Sequence, residues 1–94
     1  VAIVEVQKSS QKIPAIEQTY SAGAVCLALL NAALALGWGA NWLSGWPSHD
    51  REFATKAFRL SENERIAGVI YIGTETSRPP ERPRPNLHDI VTWL

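Results

Sequence analysis

Hydrophobic and polar positions alternate along this chain in blocks whose rhythm changes several times. Val1–Val6, VAIVEV, is a nearly continuous β-branched run, the pattern of a strand covered on both faces. The polar residues at 9–12 read as a loop, and Pro14 suits the first turn of a helix with Glu17 near its positive end. From Ala22 to Leu36 the only polar side chain is Asn31. This stretch reads as a long helix starting at Pro14 or restarting at Ser21. Run from Pro14 to Leu36, it would be about 35 Å long. Gly37 supplies its left-handed end. A helix that is apolar all round has to be covered on every side.

The remaining blocks are shorter. Trp38–Leu43 reads as an extended strand that ends in a tight Ser44-Gly45. Ser48–Arg59 reads as one amphipathic helix capped by Ser48, with Asp50 and Glu52 in its first turn and Lys56 and Arg59 in its last. Ser61-Glu62-Asn63-Glu64 matches a capping box and predicts one further helical turn. Ile66–Ile72, IAGVIYI, is a second strand interrupted at Gly68. Residues 75–86 form a proline-studded arm, and Asn86 is placed to cap a short terminal helix, with a closing strand as the other option for Ile90, Val91 and Trp93.

Composition changes this picture at one point. With 94 residues, 46% hydrophobic and 19% charged, the chain is an ordinary globular sequence of one domain. A domain of this size buries only about 60–65% of its unfolded surface, too little to enclose a central helix. The chain opens inside a strand and contains no methionine. Residues 1–94 are therefore expected to be the C-terminal portion of a single, longer domain.

Zero net charge gives no footprint for nucleic acid or an anionic membrane. Ala22–Ala40 is long enough to span a bilayer, but it is rich in alanine, ends in two glycines and lacks a flanking basic cluster, so a buried core or interface helix is the preferred reading. The single cysteine, Cys26, has no partner for an internal disulfide and reads as an inert core residue, in keeping with a reducing, cytoplasmic setting.

Side chains for direct catalysis are absent from the pattern. His49 and His88 have no Cys or carboxylate at metal-ligand spacing, so no metal site is expected. No nucleophile elbow or phosphate loop occurs. No catalytic residue is assigned, and any chemistry would come from a cofactor. Two stretches are suited to hold one. At Trp42-Leu43-Ser44-Gly45 a strand turns, and glycine allows a planar ligand to approach the backbone closely; an ordinary turn is the alternative. On the extended arm Pro80–Pro85, Arg82 and Arg84 are spaced to grip a phosphate; a solvated loop is the alternative.

The succession EQTYSAG, an alanine-rich helix, GANWLSGWP, ERIAGVIYIGT and PPERPRP resembles the FMN-dependent nitroreductase family, most closely its small single-domain NAD(P)H nitroreductases. The resemblance runs roughly from Ile13 to Pro85 and covers only the C-terminal half of such a protein. The Arg-Arg-Ser phosphate contacts of the family's N-terminal segment have no counterpart here. The resemblance implies an α+β fold, with a central apolar helix packed on a mainly antiparallel sheet, assembled as an intertwined homodimer with FMN at the interface. It implies hydride transfer from NAD(P)H through FMN to a nitroaromatic, quinone or similar small-molecule acceptor. Trp42, Leu43, Ser44 and Gly45 match the loop lining the flavin, and Arg82 and Arg84 match a basic pair reaching its phosphate. Ser44 is a departure, since larger members carry a glutamate there. The alternatives are a flavin- or ligand-binding protein of the same fold without nitroreductase activity, and an inactive oligomerising fragment.

Overall fold

The computed structural model describes residues 1–94. Its elements are β1 (Ala2–Val6), α1 (Ala15–Ala35), β2 (Gly39–Leu43), α2 (Trp46–His49), α3 (Arg51–Phe58), β3 (Glu64–Gly73) and α4 (Leu87–Ile90). The three strands form an antiparallel sheet in the order β1-β3-β2, so the longest strand is central and the two short ones are edges.

A register change between β1 and β3 explains how one central strand serves two faces. Ile3 lies opposite Gly68 while Val4 lies opposite Ile66, which leaves Ala67 as the extra residue of a bulge. Side chains alternate along a strand, so the extra residue sends Ile66 and Gly68 to opposite sides. Ile66 joins Ala54 and Leu60 in a small core on the α3 side, with Ala2 and Val69 packed around it. Gly68 and Ile70 face α1, where Ile70 and the helix residue Cys26 are completely buried.

The long helix starts at Ala15 with Pro14 as its cap, which decides between the two starts open from sequence. It ends as expected: Gly37 adopts φ 84°, its N–H donates to Leu34 O, and the Trp38 N–H donates to Ala33 O, both at 3.0 Å. The covered stripe is narrow, however. Gln18, Thr19, Ala22, Cys26, Leu29 and Ala33 face the sheet, whereas Ile16, Tyr20, Val25, Leu27 and Leu34 are exposed. Eight of 94 residues are buried, and the radius of gyration is 16.3 Å against about 12 Å for a compact chain of this length. Full coverage of the helix, expected from its composition, is not provided by these 94 residues. By length and composition α1 would pass as a membrane-crossing helix; here one stripe of it lies on a sheet.

Three local expectations are corrected. Ser48–Arg59 is not one helix. Asp50 is extended (ψ 107°) and separates the single turn α2 from α3, because its carboxylate accepts the Phe53 N–H at 2.8 Å and so caps α3 in place of Ser48. The capping box at Ser61–Glu64 forms its reciprocal bond, Ser61 N–H to Glu64 Oε2 at 2.8 Å, yet closes only a turn, since Glu64 already begins β3. At the C-terminus Asn86 does cap a helix, receiving the His88 N–H at 3.1 Å, but α4 has four residues and Val91–Leu94 continue as neither helix nor strand.

Candidate functional site

The turn after β2 is built by the edge position of that strand. Its last residue, Leu43, pairs with Val69, and beyond it the ladder stops. Gly45 is extended (φ −122°, ψ −164°), and its carbonyl accepts the Ser48 N–H at 2.9 Å, which starts α2. Neither the Ser44 nor the Gly45 N–H donates to any protein acceptor, and both residues are exposed. Ser44 and Gly45 therefore each present a main-chain donor without a protein acceptor, open to water or to an acceptor atom of a ligand.

Trp42 contributes differently from Leu43, Ser44 and Gly45. Its indole lies on the α1 face of the sheet, against Gly68 and within reach of Gly23. The indole Nε1 is sealed from solvent and has no hydrogen-bond partner. The ring therefore belongs to the packing between sheet and helix, and only the main chain of Trp42 belongs to the turn.

Arg82 and Arg84 lie elsewhere. Gly39 pairs with Gly73, so the arm leaves the sheet at the opposite end of β2 from Ser44-Gly45, roughly 13 Å away at strand spacing. The two arginines line an open trough of about 880 Å³ with Gly39, Ala40 and Asn41, a trough that includes none of residues 42–45. Arg84 donates through Nε and Nη2 to Glu81 Oε1 at 3.1 and 2.8 Å, whereas Arg82 forms no ion pair. Within one chain the residues expected from the sequence thus divide into two groups at opposite ends of β2.

A charged cluster went unread in the sequence. Glu5, 4% exposed, points from β1 into the α1 face. Its carboxylate accepts Arg65 Nε at 2.6 Å and Nη2 at 3.1 Å, Thr19 Oγ1 at 2.6 Å, and Gln7 Nε2. The hydrogen bonds from the Arg65 guanidinium outweigh the cost of burial and hold the carboxyl at about 2, well below 4.5. The sequence signal was a lone glutamate inside a β-branched strand. Cys26 is buried as expected, and burial pushes its thiol pKa up, away from nucleophile chemistry. His49 is exposed, and no group of three or more His, Cys, Asp or Glu side chains is placed to hold a metal.

An apolar helix packed on a three-stranded antiparallel sheet is an α+β arrangement, and it is that of the nitroreductase-like proteins. A crystal structure of a nitroreductase-like family protein from Bacillus cereus superposes with a TM-score of 0.75 at 21% identity, covering 96% of this chain and 46% of that one. The chain belongs to the nitroreductase family, whose model matches residues 1–74. It is 34% identical over 74 residues to the protein named "Putative NAD(P)H nitroreductase YdjA" of Escherichia coli K12, with the same match in the O157:H7 strain. That match covers 79% of this chain and 40% of the relative, so the chain spans less than half the length of the relatives it matches. The turn at 42–45 falls inside the family match, and the arginine arm falls beyond it.

Proposed function

We propose that this chain is part of a flavin oxidoreductase that passes hydride from NAD(P)H through FMN to a nitroaromatic, quinone or similar acceptor. Family membership and the name of the Escherichia coli relative, an NAD(P)H nitroreductase, support the reaction class. The observation that carries the reading is the pair of free N–H groups at Ser44 and Gly45, inside the matched segment.

The residues fit FMN in part. Ser44 and Gly45 would hold the ring through main-chain donors, and exposed Leu43 would supply apolar surface beside it. FMN, when bound, supplies a ring that takes up a hydride and gives it back. Donors fixed at the ring edge favour its electron-rich form and orient it. No side chain of this chain is assigned as an acid or base, and positioning with exclusion of water is the protein's part. Arg82 and Arg84 lie beyond the far end of β2 from the turn, and would take the phosphate at the far end of the cofactor, supplied by the same copy or by a second one. We read the working form as a cytoplasmic homodimer, a reading supported by the exposed apolar residues of α1 and the single free Cys26.

The test is purification of the natural full-length protein, titration with FMN, and NAD(P)H oxidation with nitroaromatic and quinone acceptors. Flavin uptake and acceptor-dependent oxidation are expected. A protein that takes up no FMN refutes the proposal, and uptake without oxidation moves it to a flavin-binding role. Light scattering is expected to give twice the protomer mass.

A further inference from the structure

We infer that Trp42 is a positioning residue, its indole seated in a notch left open by Gly68 and so fixing the pose of the Leu43–Gly45 turn. This rests on the flavin reading of that turn and adds what holds the turn in place.

The turn itself has few restraints. Beyond the Leu43–Val69 pair no ladder bond constrains it, and the Ser44 and Gly45 N–H groups are unspent. Its downstream anchor is the bond from Ser48 N–H to Gly45 O. Its upstream anchor is Trp42. A Cβ on Gly68 would lie 2.8 Å from the indole Cδ1 and 2.9 Å from Cε2, closer than any side chain tolerates, and nearest of all to Nε1. At the far rim of the ring, Cη2 is 4.0 Å from the position a Cβ on Gly23 would take. The indole therefore lies between β3 and α1, tight against Gly68 and at no more than ordinary contact distance from the Gly23 position. Gly68 is also the residue opposite Ile3 at the bulge, which turns that open position toward α1.

Shape alone orients the ring. A buried indole ordinarily donates its N–H, but Nε1 here has no acceptor, so no directional bond competes with the fit of the notch. A rigid ring clamped at residue 42 leaves the main chain one residue of slack before Ser44. Filling the notch should displace the ring and, through it, the two donors.

The experiment compares Gly68→Ala, Trp42→Val, the double variant and Gly73→Ala in the natural full-length protein. Gly73 is the control, in the same strand with nothing within 4 Å of its Cβ position. The readouts are the FMN dissociation constant and the ¹⁵N order parameters of Ser44 and Gly45, taken well below the melting temperature. Gly68→Ala and Trp42→Val should each weaken FMN at least about tenfold and lower the order parameters from about 0.85 toward 0.6. The double variant should lose no more than Trp42→Val alone, because the new methyl enters space the ring has left. Gly73, which lines the trough of Arg82 and Arg84, is the control for the order parameters alone, and Gly73→Ala should leave them unchanged. Additive losses in the double variant, or a folded Gly68→Ala with unchanged FMN affinity and order parameters, overturn the inference. Should Gly68→Ala fail to fold, Trp42→Val decides, and a turn as ordered as wild type overturns it. If the unaltered protein takes up no FMN, the flavin reading falls by itself, and the order parameters still judge the role of Trp42.

Discussion

Replacing Glu5 with glutamine keeps the shape of the side chain and removes its charge from beneath α1. In the unaltered chain the carboxylate receives two bonds from Arg65, one from Thr19 and one from Gln7, joining β1, β3 and α1 at one point. Its pKa falls from 4.5 to about 2, which at 1.36 kcal/mol per unit corresponds to about 3 kcal/mol. The Arg65 side chain is 55% exposed, so solvent screens part of this, and about 2 kcal/mol is the expected loss. Because the folded-state value is depressed, the stabilisation is fully present above pH 4.5 and disappears as pH falls toward 2. Urea unfolding of wild type and Glu5→Gln from pH 7 down to pH 3 measures this. The gap should be about 2 kcal/mol at pH 7 and under about 1 kcal/mol at pH 3. A gap of the same size at both pH values would show that the loss comes from packing rather than charge. A gap under about 0.5 kcal/mol at pH 7 would refute the whole account of the cluster.

Three further outcomes are expected. Arg59 ends α3 in the left-handed region (φ 56°, ψ 43°), so Arg59→Gly should raise stability by about 1 kcal/mol in thermal or urea unfolding. Asp50→Ala removes the carboxylate that caps α3 and should cost about 1 kcal/mol in the same assay, with Asp50→Ser close to wild type. Arg82→Ala should weaken FMN affinity about tenfold in the full-length protein if the arm serves the proposed flavin site, and an unchanged dissociation constant would remove the arm from that site.

What could be read from the sequence was whatever depended on local spacing. The helix end at Gly37, the cap at Asn86 and the strand after Trp38 follow from neighbouring residues, and they appear where the pattern put them. The split at Asp50 did not show, because Ser48 and Asp50 are both good caps and only the Gly45–Ser48 turn decides between them. The bulge at Ala67 was hidden for a different reason: IAGVIYI has no charged or strongly polar position to mark a change of face, and the shift exists only relative to β1. The place of Trp42 beside Ser44-Gly45 in sequence suggests a part of the ligand loop. Its side chain goes to the core because Gly68, 26 residues later, leaves room for it.

Separation of the turn from the arm bears directly on how a site could be assembled. Both belong to the same strand pair, but β2 puts Ser44-Gly45 beside Val69 at one end and the arm beside Gly39 at the other. A rigid five-residue strand cannot bring its two ends together, so one copy holds its ring donors and its arginines apart. Exposed apolar residues occur along the whole chain, and they include Ile16, Tyr20, Val25, Leu27 and Leu34 on α1 and Leu87, Ile90, Trp93 and Leu94 at the end of the arm. Burial of a residue of this kind contributes about 1.5–3 kcal/mol, and here that contribution is left unclaimed at two places at once. Under the proposed dimer, one association would cover the helix flank, and where it also supplies the arm to the partner's turn, flavin affinity and dimer strength should fall together when either surface is altered.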